Sequence, residues 1–232
     1  MEENTEKTYL SSRYDTLDKI TEAGEERLKK EVAEGDAEAM NALGMLRESE
    51  EKLEAAGRWY MLAGFAGSAE GVYNYGKKLF WGWTGKPDYR TAQRVFRIAR
   101  ARGYKKGACY FLAVYEEKGI FGAPDPEKAI EYYTEGAEDG DFRCYRELGR
   151  IYAEGEITEE DPEKAYYNFM MAGAIGDPIS VTNMAMFLEE GYGCEKNMAR
   201  AVELYRMAAE AGEENAIEAL ERLGMPIEKT AE

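Results

Sequence analysis

The sequence predicts an all-α protein built as a solenoid of stacked helical hairpins, and two regularities support this fold class. The first is a set of glycines that recur at intervals of 32 to 37 residues. They are Gly35, Gly67, Gly103, Gly140, Gly176 and Gly212. The second is a fixed order of small and large apolar residues at helical spacing around each glycine. Repeats of this length are typical of hairpin arrays, in which each unit buries its apolar face by stacking on its neighbours.

The residues before each glycine predict the second helix of a hairpin. Before each of the last five glycines, an alanine stands at eleven residues, an aromatic ring at seven and Ala or Gly at four. The rings are Tyr60, Phe96, Tyr133, Phe169 and Tyr205. Offsets of four, three and four place these positions on one helix face. Four copies start with a good N-cap residue, and the glycine ends each helix because it adopts a positive φ without a Cβ clash. The N-cap residues are Asp88, Asp125, Asp161 and Asn197.

The residues after each glycine predict the first helix of the next hairpin, because the fourth is small and the eighth is large and apolar. This order sets the expected domain organisation. Residues 1–35 should form a polar segment and a capping helix, the helix spanning about residues 16–34. Residues 36–212 should form five hairpin repeats. Residues 213–232 should form a capping helix, near residues 213–223, and a loose tail from Met225 onward.

Composition limits the class of partner. The chain has 232 residues, is 44% hydrophobic and carries a net charge of −16, so it can bury a core and repels polyanions. We therefore expect no nucleic-acid and no membrane partner. The N-terminus lacks the apolar core of a secretion signal, and no apolar stretch approaches membrane-spanning length. These features predict a cytoplasmic protein.

Catalytic and metal-binding motifs are weak in this sequence. The chain has no histidine, which excludes Ser-His-Asp and Cys-His pairs and HExxH zinc sites. Cys109, Cys144 and Cys194 lack CxxC spacing and are expected to fill helix interfaces. The segment GVYNYGKK, residues 71–78, resembles a P-loop but lacks its Ser or Thr and lies in a predicted helix. We predict no catalytic residue, no cofactor and no metal.

A family resemblance rests on two stretches, CYRELGRIYAEGE and DPEKAYYNFMMAGAIGD. They resemble the Sel1-like repeat (SLR), a branch of the tetratricopeptide superfamily, and the resemblance extends over about residues 36–224. It implies a right-handed α-solenoid, a tetratricopeptide-like α/α superhelix. Two departures stand out: the first repeat is four residues short, and Met184 and Ala185 replace the usual Leu-Gly.

The resemblance also implies a partner-binding groove, because first helices line the concave surface in this superfamily. The side chains three, six, ten and thirteen to fourteen residues after each repeat glycine should face it. The predicted groove residues are Tyr73, Lys77, Phe80, Trp81, Lys106, Arg143, Arg146 and Arg150. The three arginines form one stripe that suits carboxylates. Alternatively, Glu147 and Glu154 pair with them. Trp83 is expected to be buried, whereas Trp81 is equally compatible with core and groove.

These observations predict a non-enzymatic scaffold that binds a peptide or protein segment in its groove. Its partner would be acidic or would present a free C-terminal carboxylate. One alternative is a hydrolase or small-ligand binder like the secreted, β-lactam-binding, cysteine-rich relatives in the family, but the cysteine pairs and secretion signal of those proteins are missing. Another is self-assembly. We expect a monomer or a weak homo-oligomer.

Overall fold

A computed structural model describes Tyr14, residues 16–83 and residues 85–225. This part of the chain contains thirteen α-helices and no strand, which confirms the all-α class. The helices are α1 (Leu17–Ala23), α2 (Glu25–Ala33), α3 (Ala37–Ser49), α4 (Leu53–Phe65), α5 (Ala69–Trp81), α6 (Tyr89–Ala101), α7 (Ala108–Glu117), α8 (Pro126–Glu138), α9 (Phe142–Glu154), α10 (Pro162–Ala174), α11 (Pro178–Glu190), α12 (Met198–Glu210) and α13 (Glu214–Arg222). The chain divides into two compact units: unit 1 is Met1–Tyr104 and unit 2 is Lys105–Glu232.

Consecutive helices pack as hairpins within each unit. In unit 1, α3 packs on α4 and α5 packs on α6, whereas unit 2 contains the pairs α7–α8, α9–α10 and α11–α12, followed by α13. The predicted N-caps of the second helices are confirmed, because each side chain accepts a hydrogen bond from a backbone N–H of the first turn. All six repeat glycines have φ between 82° and 108°, as their position after a helix end requires.

The prediction of one N-terminal capping helix is wrong in one respect, because two helices occupy this segment. Gly24, with φ 78° and ψ 144°, ends α1 and begins α2. A glycine reaches this conformation with little strain, so the chain bends where the sequence pattern suggested one helix. The final helix, α13, lies within one residue of its predicted bounds. Of the predicted tail, residues 226–232 lie outside the described residues.

The core consists of the recurrent rings and alanines of the second helices. The five rings are at most 3% exposed, and the alanines four residues before them are fully buried. Glycines in the facing first helices allow this packing. A Cβ on Gly149 would lie 2.7 Å from the Phe169 ring, and a Cβ on Gly76 would lie 2.7 Å from the Phe96 ring. Each of these two rings therefore requires a glycine at the facing position of the first helix.

Cysteine and glycine compensate for each other in one hairpin. Gly136 stands where the other four copies have alanine, and a Cβ there would lie 2.5 Å from Cys144 Sγ and 3.1 Å from Cys109 Cβ. Both cysteines are fully buried, which confirms their predicted place in helix interfaces. Burial raises the pKa of the Cys144 thiol, so this thiol stays protonated at neutral pH. Cys194 is partly exposed.

Helix α7 begins later in its repeat than the other first helices. Gly107 has φ 78° and occupies the N-cap position, so α7 starts at Ala108. Its N–H donates a 2.7 Å hydrogen bond to Asp141 Oδ2, and the N–H of Lys106 donates one to Asp139 Oδ2. The sequence placed Lys106 on the first helix, and this is corrected: Lys106 lies exposed in the turn before α7.

Candidate functional site

The first helices of unit 2 form two adjoining surface cavities. The cavity between α9 and α11 has a volume of about 330 Å³, and the cavity between α11 and α13 about 630 Å³. Three residues of α11 line both cavities and join them. We call the joined cavities the unit 2 groove, whose main residues are Arg146, Arg150, Ile179, Asn183, Met186 and Arg222.

The middle of the unit 2 groove is apolar and open. Ile179 and Met186 are 42% and 46% exposed, although both are large apolar side chains. They stand three and ten residues after Gly176, and Asn183 lies between them on the same helix face. Asn183 is half-buried, and among the contacts of the described residues its amide has no hydrogen-bond partner. The centre of the groove thus offers two apolar contacts and one amide.

Each arginine of the predicted stripe already contacts a carboxylate. Arg146 Nη1 donates a 2.8 Å hydrogen bond to Asp177 Oδ1, at the N-terminus of α11. Arg143 Nη2 lies 2.7 Å from Asp141 Oδ2, and its guanidinium carbon lies 4.5 Å from the centroid of the Tyr110 ring. Asp141 is therefore a partner of Arg143, and the alternative pairing of Arg143 with Glu147 stays a prediction.

Arg150 has the largest set of carboxylate partners of the three. It contacts Glu147 at 2.9 Å and Glu154 at 2.6 Å on its own helix, and Glu117 at 2.9 Å on α7. Burial acts to lower the pKa of Arg150, but these contacts outweigh burial and raise it. The predicted pairing with Glu154 is confirmed. Arg150 therefore connects two neighbouring hairpins of unit 2.

The contact between Arg150 and Glu117 belongs to a recurring Tyr–Glu–cation cluster. In it, the ring hydroxyl of a second helix donates to a glutamate at the end of the preceding first helix, and a cation of the following first helix contacts the same carboxylate. The clusters are Tyr60–Glu48–Lys78, Tyr133–Glu117–Arg150 and Tyr205–Glu189–Arg222. The hydroxyl-to-carboxylate distances are 2.6, 2.7 and 2.9 Å, respectively.

The two repeats with phenylalanine lack the other two members of the cluster as well. In the Tyr133 and Tyr205 repeats, the glutamate stands sixteen residues before the ring and the arginine seventeen after it. At these offsets the phenylalanine repeats have apolar residues. They are Phe80 and Ala113 around Phe96, and Ala153 and Met186 around Phe169. Polar partners thus occur together or not at all, as the cost of burying an unpaired hydroxyl or charge requires.

In unit 1 a smaller cavity of about 270 Å³ lies against α3 and α5. Tyr73 and Lys77, both predicted groove residues, line it together with Tyr104. Tyr73 is only 6% exposed, with its ring centroid 5.0 Å from that of Tyr104, and Lys77 Nζ lies 5.2 Å from the Tyr73 centroid. The prediction of Tyr73 as an open anchor is therefore corrected, because its ring belongs to the wall of the cavity.

The aromatic residues at the end of α5 divide into buried and exposed ones. Phe80 is half-buried, with its ring 5.0 Å from that of Trp81 and 5.3 Å from that of Tyr89. Trp81 is 56% exposed, so it is available to a partner. Trp83 is half-buried rather than buried, and its ring lies 3.1 Å from Nζ of the buried Lys78. Of the predicted aromatic contacts, Trp81 is the open one.

The predicted groove residues fall into both units. Four belong to unit 1 and four to unit 2: Tyr73, Lys77, Phe80 and Trp81, and Lys106, Arg143, Arg146 and Arg150. Ile179, Asn183 and Met186 were not singled out from the sequence, although Ile179 and Met186 obey the same spacing rule and Asn183 stands one residue beyond it. In the described residues, no group of three or more Cys, Asp or Glu side chains is placed to hold a metal ion. No described helix is long and apolar enough to cross a membrane.

Paired helices, ring-to-glycine packing and a surface groove on the first helices together define an α-helical hairpin repeat protein of the solenoid class. Three repeats of unit 2, residues 107–141, 143–177 and 178–213, match the Sel1 repeat family. This confirms the resemblance drawn from the sequence.

Solved structures show the same fold. A crystal structure of a Sel1 repeat protein from Oxalobacter formigenes matches with a TM-score of 0.78 at 22% identity, covering 90% of this chain and 93% of that chain. A Sel1 repeat protein from Klebsiella pneumoniae matches with a TM-score of 0.59 at 22% identity, covering 86% and 99%. At these identities the likeness concerns the fold alone.

Curated relatives share part of the chain. The chitin synthase regulator SKT5 of Saccharomyces cerevisiae is 28% identical over 136 residues, which is 58% of this chain and 20% of that protein. The DAP3-binding cell death enhancer 1 of Rattus norvegicus is 27% identical over 108 residues, which is 47% of this chain and 21% of that protein. The matches therefore span about a fifth of the length of each relative.

Proposed function

We propose that this chain is a non-enzymatic interaction module that binds a segment of another protein along the unit 2 groove. One observation carries the proposal: Ile179 and Met186 leave apolar surface open beside the unpartnered amide of Asn183. A peptide backbone can pair with such an amide while its side chains cover the apolar pair. Ile179 and Met186 both stand on the regular helix α11, so the backbone that presents them is already ordered without a partner.

Arg146 is the residue that we propose contacts an acidic side chain or a C-terminal carboxylate. Among the contacts of the described residues its guanidinium hydrogen-bonds through Nη1 alone, to Asp177, and Arg146 lines the cavity, so its other N–H groups would be the donors to a bound carboxylate. Arg143 and Arg150 contribute less to this contact, because their donors are engaged by Asp141 and by three glutamates. Lys106, exposed before α7, would add positive charge without a fixed contact.

In unit 1 we propose a separate contact centred on Trp81. Its ring is exposed and braced by Phe80, and large aromatic rings contribute strongly to protein interfaces. The cavity beside Lys77, whose wall includes Tyr73, would accept a small side chain of the segment that contacts Trp81.

Two relatives support an interaction role through their names, since one is a chitin synthase regulator and the other a DAP3-binding protein. We extend that role to this chain as a proposal, together with a monomeric or weakly associating state. Its three free cysteines fit a reducing compartment, so we propose that it acts in the cytoplasm.

The test is a selection of random displayed peptides on the wild-type protein, followed by fluorescence anisotropy with the selected peptides. Met186→Asp places a charge at the apolar centre and should weaken binding about tenfold or more, since burying a methionine contributes about 1.5–3 kcal/mol. Met207→Asp is the matched control, because Met207 is 55% exposed on α12. Peptides that bind Met186→Asp as tightly as the wild type would contradict the groove proposal.

Arg146→Gln tests the carboxylate contact separately. It should weaken the binding of peptides with a free C-terminus or an acidic side chain more than the binding of their amidated, neutral counterparts. It should also make the affinity for the charged peptides less dependent on salt. We prefer it to a substitution of Arg150, because Arg146 contacts one carboxylate, that of Asp177, whereas Arg150 contacts three. Equal losses for charged and neutral peptides would contradict the assigned role of Arg146.

A further inference from the structure

Helix α6 is strongly basic in an acidic chain. Between Lys86 and Arg102 the sequence has six basic residues and one acidic residue, Asp88, whereas the whole chain carries −16. The helix itself contains four arginines and no acidic residue. None of the other second helices has this composition.

The arginines of α6 lie largely on one exposed face. Arg90, Arg94 and Arg97 stand at positions i, i+4 and i+7, and all three are exposed, as is Arg102. We call these four residues the basic face of α6. Arg94 has no ion-pair partner among the described residues. The first three span about 10 Å along the helix, at a rise of 1.5 Å per residue.

Neither helical charge spacing nor the helix dipole favours this arrangement. Like charges at i, i+3 and i+4 destabilise a helix by a few tenths of a kcal/mol per pair. Arg90 also stands in the first turn, where the helix dipole favours acidic residues and α6 has none. The buried face of this helix consists of Ala92, Phe96 and Ala99, which are fully buried, and the arginines lie outside it.

Apolar side chains adjoin the basic face at its C-terminal end. Arg102 Nη1 donates a 2.7 Å hydrogen bond to the carbonyl oxygen of Gly64, which places the end of α6 beside the end of α4. Phe65 follows Gly64 and is 81% exposed. Ile98 stands one turn before Arg102 and is 46% exposed. The surface therefore combines a row of cations with two open apolar side chains.

We propose that the basic face of α6, with Ile98 and Phe65, binds an acidic amphipathic helix of a partner protein. Glutamates at i, i+4 and i+7 of such a helix match the spacing of Arg90, Arg94 and Arg97, and its apolar side chains cover Ile98 and Phe65. The rest of the chain is strongly acidic, which favours a short acidic helix over a larger polyanion. An extended polyanion, such as a membrane or a duplex, would also meet the surrounding acidic surface, whereas one short helix covers only the basic face.

The experiment uses the full chain and a fluorescent, stapled helical peptide that presents glutamates at i, i+4 and i+7 beside leucines. Fluorescence anisotropy should detect binding that weakens as salt rises. Arg94→Gln with Arg97→Gln should weaken it about five- to thirtyfold, and Phe65→Ser should weaken it about three- to tenfold. Lys30→Gln with Arg206→Gln removes the same charge from exposed sites elsewhere, and Met207→Ser removes an exposed apolar group. Both controls should bind as the wild type does.

Four outcomes would overturn the proposal. They are absence of peptide binding, equal affinity of the α6 variants and their controls, tighter binding of phosphatidylserine vesicles or a DNA duplex than of the peptide at the same salt, and self-association in sedimentation that Arg94→Gln with Arg97→Gln abolishes. The groove variant Met186→Asp should leave this binding unchanged. The result is therefore independent of the proposed function of the unit 2 groove.

Discussion

Arg222 donates two hydrogen bonds of 2.7 Å to Glu189, one to each carboxylate oxygen, although 33 residues separate them. Tyr205 donates a third hydrogen bond to the same carboxylate, so Glu189 ties α11 to α12 and α13. The contact from Arg222 is the main reason that the pKa of Glu189 lies below its usual value of 4.5. The end of unit 2 is thus secured by one carboxylate as well as by apolar packing.

Glu189→Ala should lower the free energy of unfolding by about 1–3 kcal/mol, because it leaves the hydroxyl of the buried Tyr205 without an acceptor. Glu190→Ala is the matched control, since Glu190 is exposed on the same helix, and it should change stability by less than about 0.5 kcal/mol. Urea denaturation followed by circular dichroism measures both. Equal effects of the two substitutions would show that the cluster contributes nothing specific.

Tyr133→Phe should cost about 1 kcal/mol through the loss of the hydroxyl that donates to Glu117 at 2.7 Å. The ring itself is retained, so the core packing is unchanged. Tyr167→Phe, at a site 52% exposed, should have no measurable effect. Thermal unfolding of both variants provides the comparison. The cluster interpretation fails if Tyr133→Phe is as stable as the wild type.

Stability should fall in acid through the buried glutamates. Burial acts to raise the pKa of Glu117, but hydrogen bonds from Lys118 and Tyr133 and the charge of Arg150 outweigh burial and lower it below 4.5. The pKa of Glu189 is also lowered. Because both values are depressed in the folded state, their contribution is complete above pH 4.5 and is lost as the pH falls through the folded-state pKa.

Denaturation near neutral pH and below pH 4.5 tests this dependence. Glu189→Gln removes one titrating group, so its stability should fall less in acid than that of the wild type. The stability of Glu190→Gln should fall in acid as much as that of the wild type, since Glu190 is exposed and outside the cluster. An unchanged acid dependence in Glu189→Gln would assign the loss of stability to other groups.

Two helical glycines should respond in opposite ways to alanine. At Gly149 a Cβ would lie 2.7 Å from the Phe169 ring, so Gly149→Ala should destabilise by about 1–3 kcal/mol despite its better helix propensity. At Gly57 nothing lies within 4 Å of the added Cβ, so Gly57→Ala should stabilise by about 0.5–1 kcal/mol. Thermal unfolding distinguishes the two. A change in stability of the same sign for both variants would contradict the requirement for glycine opposite the Phe169 ring.

The sequence was sufficient to predict the helices because the repeat supplies five copies of each packing position. Rings, alanines and terminal glycines recur at fixed offsets, and a single copy with a substitution does not hide the pattern. Local exceptions escaped prediction for the same reason. Gly24 breaks the N-terminal helix outside the repeats, and Gly107 delays α7 although Gly71, at the same repeat position, lies inside α5.

The candidate site was predicted less completely, because spacing indicates the helix face of a residue but not its partners. Spacing predicted the helix face of Arg150 but not its contact with Glu117, which joins residues 33 positions apart. Tyr73 was also on the expected helix, but Tyr104 covers its ring. A comparison of the last four repeats at the ring, glutamate and cation positions would have revealed two of the clusters, since the three residue types change together there.

The alternation of tyrosine and phenylalanine gives unit 2 an uneven stiffness. Ionic clusters brace α7, α8 and α9 at one end and α11, α12 and α13 at the other, whereas α9 and α11 meet around Phe169 with Met186 at the cation position. We therefore expect the distance between α9 and α11 to change more readily than distances within either block, since these helices meet around Phe169 and through the ion pair of Arg146 with Asp177. That distance is also the width of the groove, so a protein segment of greater bulk can be admitted by a small rotation of the two blocks about this ion pair.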